Sequence, residues 1–192
     1  LEDLESKLRR AAGRVFIAVE SIYSMDGDEC PLTEVAALAK KHGAFVILDE
    51  AHSTGVRGTD GNGLATSLSV EGDIAIRLYT FGKGMGIHGA CIAGSKTLIE
   101  FIINFARPFI YTTALTPHSI ISIESAFDYL QEQIHLQSAL QHNINTFLSG
   151  IGTIDNRTRS NSMIQTIIFP GNENVKKAAS RLQQNGFDVR PI

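Results

Sequence analysis

The sequence predicts an α/β fold with a mostly parallel sheet flanked by helices. Its 192 residues suffice for one or two domains. Hydrophobic residues make up 43% and the net charge is only -3, which excludes disorder as the dominant state. Short apolar runs alternate with amphipathic stretches along the chain, and that alternation is typical of βαβ units.

Composition also narrows the possible classes of protein. The 17 basic and 20 acidic residues give no basic surface for nucleic acid. The apolar run that comes closest to a membrane span, residues 98–103, is far shorter than the roughly 20 residues that a span needs. Cys30 and Cys91 lie far apart and form no metal or redox motif, so we expect a reducing, cytoplasmic compartment and no metal site.

The first elements are a helix, a strand, a second helix and a second strand. The apolar residues Leu1, Leu4, Leu8 and Ala11 recur at helical spacing, and Gly13 can end that helix. Residues 15–19 form an apolar run that suits a strand buried on both faces of a parallel sheet. Pro31 can open the next helix and Gly43 can close it. Residues 45–48 form the second apolar strand.

Two more strands and two helical stretches follow. Residues 74–79 and 91–93 are the third and fourth predicted strands. A helix is predicted from Ser95 to about Ala106, and a longer helical stretch, with or without an interruption, from about Pro117 to Leu148. Ten of the 17 glycines fall between residues 55 and 94, a density that indicates either turns between strands or close approach of the backbone to a ligand.

A second β-α-β group ends the sequence. Residues 155–162 are polar and indicate a connection. Residues 164–169 are a predicted strand, residues 175–184 a helix, and residues 187–189 a further strand. The long helical stretch separates this group from the first, so we interpret it as the start of a smaller C-terminal domain.

Polar clusters follow three of the predicted strands, at residues 20–28, 49–52 and 80–84. In open parallel sheets, ligands bind beyond the carboxyl ends of the strands, so the three clusters are expected to converge. Each has a plain structural interpretation by itself: Asp49 could cap a helix, and His52 and Lys83 could lie in solvated loops. All three interpretations must hold at once for there to be no site.

The run Asp49-Glu50-Ala51-His52 is similar to the Mg²⁺-binding box of one helicase class. Such an enzyme also needs a phosphate loop of the form G-x-x-x-x-G-K-[ST]. Gly84 follows Lys83 where that loop would have Ser or Thr, and the order of the two segments is reversed. The sequence therefore argues against a helicase.

Pyridoxal phosphate (PLP) accounts for the same residues better. Its aldehyde needs a lysine to form an imine, and Lys83 lies on a tight glycine turn. A carboxylate beside the pyridine nitrogen keeps the ring protonated, and Asp49 is the candidate. Ser24 and His52 are candidate donors to the phenolic oxygen.

Three segments together resemble the α-oxoamine synthase family: residues 23–28 (YSMDGD), 49–55 (DEAHSTG) and 80–84 (TFGKG). These are fold-type I PLP enzymes that condense an amino acid with an acyl-CoA and release carbon dioxide. The motifs match in order and spacing, and the resemblance covers nearly the whole chain. It implies part of a PLP-dependent transferase large domain plus the start of a small α+β C-terminal domain.

The resemblance implies a role for each matching residue. Lys83 would be the Schiff-base lysine and the proton shuttle at the α-carbon of the amino acid, and Asp49 would pair with the pyridinium nitrogen. Ser24 and His52 would contact the phenolic oxygen, and Thr80 would hold the phosphate. The family works as homodimers on small-molecule substrates. Two threonines resemble the segment that reaches the neighbouring subunit's phosphate: Thr112 and Thr113.

Within the family, Gly89-Ala90 and residues 105–114 most resemble the branch that joins L-alanine to pimeloyl-CoA, and a glycine-using branch is the alternative. The resemblance divides the chain into the second half of the large domain (1–115), a connecting helical segment (116–150) and the start of the small domain (151–192). The family's phosphate loop, its stacking aromatic ring and its substrate-binding arginine have no counterpart here, so we expect these 192 residues to be an inactive fragment.

Two other functions stay open on the sequence alone. A non-catalytic relative could serve as a subunit or scaffold, although Lys83, Asp49 and His52 are all present. A different fold-type I reaction, such as that of a lyase or an aminotransferase, would use the same cofactor residues.

Overall fold

A four-stranded sheet forms the centre of the computed structural model, which describes residues 1–152, 154 and 156–192. Its strands lie in chain order: β1 (Phe16–Glu20), β2 (Phe45–Asp49), β3 (Ile76–Thr80) and β4 (Ala90–Gly94). The first three are parallel, whereas β4 pairs antiparallel with β3. The loop 81–89 is too short for the crossover that a parallel neighbour needs, so β4 must reverse direction.

Helices flank the sheet and continue the chain beyond it. In order they are α1 (Glu2–Arg10), α2 (Leu32–His42), α3 (Leu64–Ser67), a 3₁₀ turn (Glu71–Asp73), α4 (Lys96–Phe105), α5 (Arg107–Ile110), α6 (Pro117–Glu132), α7 (His135–Ile151) and α8 (Asn172–Gln184). The long predicted helix is interrupted between α6 and α7. No helix in the described part of the chain is long and apolar enough to cross a membrane.

Local sequence signals explain where several helices begin and end. Gly43 adopts a φ of 64° at the end of α2, a left-handed conformation that glycine adopts without steric cost. The hydroxyl of Ser95 accepts the Leu98 N–H at 3.3 Å and caps α4. Thr116 caps α6 in the same way, and Pro117 occupies its first turn.

The core lies on one face of the sheet. Ile17, Val46 and Leu48 are buried there against Val35 and Ala39 of α2, in a cluster that extends to α1 and α3. This burial explains why β1 and β2 are apolar, and it leaves the other face to carry the polar strand ends.

The opposite face of the sheet is open. Phe16 is 59% exposed and Phe45 is 45% exposed, and their rings lie 5.6 Å apart. The expectation that residues 15–19 are buried on both faces therefore holds for one face only.

Two predicted C-terminal strands are wrong. Residues 164–169 form one bridge, between Ile167 and Arg157, and belong to no strand. Residues 187–189 also have no strand partner in the described structure, and the Val189 carbonyl accepts the side-chain amide of Gln183 instead. An apolar segment forms a strand only where another extended segment supplies hydrogen-bond partners for its backbone N–H and C=O groups. Within the predicted connection, Asp155 lies outside the described residues.

The C-terminal part of the chain packs on the loops of the first part. The Ser160 hydroxyl donates to the Gly27 carbonyl at 2.8 Å, and the Gln137 amide donates to the Gly58 carbonyl at 2.9 Å. Phe127 of α6 meets Phe81 edge to ring, with 5.8 Å between ring centroids. These contacts hold the loops at the carboxyl ends of the strands. The division at residues 115 and 150 stays a prediction.

Candidate active site

The carboxyl ends of the three parallel strands meet at one edge of the sheet. Glu20 of β1 is in register with Asp49 of β2, and Asp49 with Leu78 of β3. Thr80 lies two residues beyond Leu78 and so shares its face. Three polar side chains, those of Glu20, Asp49 and Thr80, therefore line the open face of the sheet.

Asp49 is half-buried and oriented by its own turn. Its Oδ1 accepts the Ala51 N–H at 2.8 Å, and its backbone carbonyl accepts the Ser21 N–H at 2.8 Å. No hydrogen bond or ion pair among the described residues uses Oδ2. The carboxylate thus keeps one oxygen for a cation, such as a protonated pyridine nitrogen.

His52 is influenced by charges from all three strand ends. Burial lowers the pKa of its imidazole, and the positive charge of Lys83 lowers it further. The carboxylates of Glu20 and Asp49 act in the opposite direction. The charges of Lys83, Glu20 and Asp49 are therefore all close enough to His52 to affect its pKa.

Lys83 lies on a tight loop. The Lys83 carbonyl accepts the Gly86 N–H at 3.0 Å, and the Phe81 carbonyl accepts the Ile87 N–H at 2.8 Å. A Cβ at Gly84 would lie 2.6 Å from the Thr54 carbonyl oxygen, so only glycine lets this loop pack against the segment that follows β2. Within the described part of the chain the exposed Lys83 amine makes no ion pair.

Thr80 has a buried hydroxyl oxygen without a hydrogen-bond partner among the described residues. An unsatisfied buried polar group costs about 1–3 kcal/mol, so such an atom marks a place where a ligand can supply the missing partner. A phosphate oxygen is a suitable acceptor. With an amine on Lys83 and a carboxylate oxygen on Asp49, the residues present fit PLP.

The side chains of the other candidate residues make no described hydrogen bond to Asp49, His52 or Lys83. Ser24 is exposed, and its N–H donates to Oε2 of Glu20 at 3.1 Å. That bond places it near Asp49 through Glu20, without direct contact to His52 among the described hydrogen bonds. Thr112 and Thr113 are exposed between α5 and α6, and no described hydrogen bond joins their side chains to these residues.

Sequence reasoning assigned no role to two glutamates at this site. Glu20 belongs to the first polar cluster, but only the register shows that it lies beside Asp49. Glu50 is completely buried and accepts hydrogen bonds from two backbone amides. A second carboxylate directly after the strand-end Asp49 was the available signal for Glu50.

Comparison with known proteins agrees with this arrangement. The family model described as aminotransferase class I and II matches residues 1–192. The chain belongs to this family.

Individual relatives narrow the similarity within the family. The 8-amino-7-oxononanoate synthase of Anaeromyxobacter dehalogenans is 34% identical over 194 residues, which cover 100% of this chain and 49% of that protein. A putative 8-amino-7-oxononanoate synthase of Bacillus licheniformis is 43% identical over 148 residues, 76% of this chain and 38% of the relative.

Solved structures show the same likeness. Serine palmitoyltransferase of S. paucimobilis, solved with PLP and myriocin bound, has a TM-score of 0.88 at 29% identity and is matched over 98% of this chain and 50% of its own. The 8-amino-7-oxononanoate synthase of Francisella tularensis has a TM-score of 0.82 at 26% identity, over 98% of this chain and 58% of that one.

These relatives confirm the resemblance to the α-oxoamine synthases and the predicted fold class. The chain spans about half the length of the curated full-coverage relatives that it matches.

Proposed function

We propose that this chain carries the central residues of an α-oxoamine synthase site that joins L-alanine to pimeloyl-CoA, the reaction of 8-amino-7-oxononanoate synthase in biotin synthesis. The observation that carries the proposal is the strand register that places Asp49 and Thr80 on one face at the carboxyl ends of β2 and β3, with Lys83 in the loop that follows Thr80. The orphaned hydroxyl of Thr80, which lies on the face of Asp49, supports it. Relatives that bear this enzyme's name support the choice of branch.

When bound, the cofactor would supply an electron sink at the amino-acid α-carbon. Lys83 would hold the cofactor through its amine and would move the proton at the α-carbon. Asp49 would keep the ring nitrogen protonated through its free carboxylate oxygen. His52 and Ser24 would be donors to the phenolic oxygen, and Thr80 would be a donor to the phosphate.

The pKa of His52 is relevant to its proposed role. Because burial and Lys83 both lower it, the imidazole is neutral near pH 7 and carries one ring N–H. A neutral ring donates a hydrogen bond to the phenolic oxygen without placing a second positive charge beside Lys83.

The proposed enzyme is a homodimer. Thr112 and Thr113 are exposed between α5 and α6, which is compatible with a contact to the phosphate bound by a neighbouring subunit. The second candidate is the glycine-using branch, to which 2-amino-3-ketobutyrate CoA ligase belongs, with glycine in place of L-alanine as the amino-acid substrate.

An assay of CoA and carbon dioxide release tests the function. The protein expressed from its complete gene, loaded with PLP, is given L-alanine, glycine or L-serine with pimeloyl-CoA or acetyl-CoA. We expect the highest kcat/KM with L-alanine and pimeloyl-CoA, and no turnover by Lys83→Ala. A preference for glycine with acetyl-CoA would support the second branch. Bound PLP without CoA release from any pair would overturn the proposal.

A further inference from the structure

The segment that carries Asp49 and His52 is held by a buried carboxylate between them. Glu50 has no exposed surface. Its Oε2 accepts the Leu64 N–H at 2.9 Å and its Oε1 accepts the Ala65 N–H at 2.9 Å. Ser53 donates a short hydrogen bond from its hydroxyl to Oε2. Neutral donors alone therefore satisfy this carboxylate in the described structure.

A chain of hydroxyls extends this contact to the loop after β1. The Ser21 hydroxyl donates to the Ser53 oxygen at 2.8 Å, and the Ser53 hydroxyl donates onward to Glu50. Both serines are completely buried. The network therefore ties together the polar segments that follow β1 and β2, and it ends on the first turn of α3. Buried polar networks of this kind rigidify the groups that they join.

The backbone of Glu50 holds the same turn. Its N–H donates to the Leu78 carbonyl of β3 at 2.8 Å. Its carbonyl accepts the Thr54 hydroxyl at 2.7 Å and the Thr54 N–H at 2.8 Å. These hydrogen bonds fix the turn formed by residues 50–54, which includes His52. The carbonyl of Thr54 in turn faces the lysine loop at Gly84.

The surroundings leave no room for another side chain. Gly63 has a φ of 97°, and a Cβ placed there would lie 2.8 Å from the carboxyl carbon of Glu50. Burying an uncompensated carboxylate is costly, and here each of its oxygens has a donor. Apolar packing would hold a loop without the cost of burying a carboxylate. We therefore relate the network to its neighbours Asp49 and His52.

We propose that Glu50 is a positioning residue, whose buried carboxylate fixes the orientation of Asp49 and His52 through Ser53, Ser21 and the first amides of α3. This inference rests on the proposed function for its catalytic consequence. Its structural part, the orientation of Asp49, is independent of any cofactor. The hydrogen bond from the Ala51 N–H to Asp49 Oδ1 reports that orientation directly.

The principal test substitutes Glu50→Gln, which preserves shape and loses two acceptor sites. One amide N–H of the glutamine would face an N–H of α3, because only its oxygen can accept. Ser53→Ala is the second variant, since it keeps the charge and breaks the relay. Glu71→Gln is the matched control, because that half-buried glutamate precedes β3 at the other end of the sheet.

The first measurement is amide hydrogen exchange of the apoprotein expressed from its complete gene. We expect exchange at Ala51 to be roughly tenfold faster in Glu50→Gln and in Ser53→Ala, because the turn opens locally, and unchanged in Glu71→Gln. Wild-type exchange at Ala51 in a folded Glu50→Gln protein overturns the proposal. If that variant does not fold, the result for Ser53→Ala decides in the same way.

The second measurement uses protein loaded with PLP. We expect kcat per bound PLP to fall about 10- to 100-fold in Glu50→Gln, as for other residues that orient functional ligands. The KM for the amino acid should change little, and the induced circular dichroism of the bound PLP should change. A lower melting temperature with unchanged kcat and dichroism would show a purely structural role. If the wild-type protein binds no PLP, the proposed function fails, and the exchange measurement still decides the role of Glu50.

Discussion

His52 is the residue at which charges from all three parallel strands meet. Burial and the positive charge of Lys83 disfavour its protonated form, whereas Glu20 and Asp49 favour it. The net effect is a pKa below the ordinary value of 6.5. In the folded chain the neutral imidazole is therefore the preferred form near pH 7.

Replacing Lys83→Met should raise the pKa of His52, because the substitution removes the second-largest cause that lowers it. NMR titration of the imidazole signals checks this expectation. Lys96→Met is the control, since Lys96 is an exposed residue paired with Glu100 on α4. An unchanged pKa in Lys83→Met would mean that the lysine does not act on the histidine.

The same shift has a consequence for stability. Because the folded pKa of His52 lies below the unfolded value of about 6.5, the unfolded chain binds the proton more readily as the pH falls. The contribution to the free energy of unfolding is fully present above pH 6.5 and is lost as the pH falls towards the folded pKa. The melting temperature of Lys83→Met should therefore decrease less between pH 7.5 and 5.5 than that of the wild type.

Asp49→Asn should separate binding from turnover. The asparagine keeps the shape and loses the charge that we propose holds a proton on the ring nitrogen, so we expect PLP binding in part and a fall in turnover on the order of 100-fold or more. Steady-state kinetics normalised to bound PLP measure the effect. Asp73→Asn, at an exposed ion pair with Lys40, should behave as wild type. Near-normal turnover in Asp49→Asn would give Asp49 a structural role only.

Residue types and order identified Asp49, His52 and Lys83 as candidates, because each follows an apolar strand. Glu20 and Glu50 could not be assigned in this way. The position of Glu20 beside Asp49 depends on strand register, and the partners of Glu50 are backbone amides 14 and 15 residues away. Neither property can be read from local composition.

At the scale of elements, the lysine loop depends on close backbone packing. A Cβ at Gly84 would lie 2.6 Å from the Thr54 carbonyl oxygen, whereas a Cβ at Gly82 would meet nothing within 4 Å. These two glycines flank the same lysine and differ in their surroundings. They form a matched pair for testing how the loop is held.

Gly84→Ala should destabilise the protein by about 1–3 kcal/mol, the usual cost of overpacking. For a chain of this size, each kcal/mol lowers the melting temperature by roughly 2–4 °C. Gly82→Ala should leave the melting temperature close to that of the wild type. Thermal unfolding of both variants makes the comparison, and equal effects would contradict the packing of the lysine loop on Thr54.

Helices were predicted better than C-terminal strands, for a physical reason. Helix signals are local: Gly43 ends α2 and Ser95 caps α4 within a few residues of each helix. Strands need a partner from elsewhere in the chain. Residues 164–169 have an apolar pattern, but they obtain only the bridge between Ile167 and Arg157.

At the scale of the whole molecule, the open face of the sheet is largely apolar at the amino ends of its strands. A groove of about 720 Å³ lies there, and Phe16, Phe45, Ile47 and Ile76 are among its lining residues. Soluble proteins rarely leave a large contiguous apolar patch uncovered. The strands β1 and β4 also form the edges of the sheet, and open edges invite pairing with another chain.

These 192 residues expressed by themselves should therefore associate. Because they span about half the length of the curated relatives that they match, we also expect them to bind PLP weakly and to show no turnover. Sedimentation velocity and titration with PLP measure the first two properties, and CoA release measures the third. Phe16→Ser combined with Phe45→Ser should reduce association, because it removes two exposed rings from the open face. A monomer with tight PLP binding and turnover would refute this expectation.

We propose that Lys83 is the residue that binds PLP covalently. The test is borohydride reduction of PLP-loaded protein, expressed from its complete gene, followed by digestion and sequencing of the labelled peptide. We expect a label on Lys83, in the loop held against Thr54. A label on Lys40, Lys41 or Lys96 in place of Lys83, or no label in a protein with bound PLP, would contradict it.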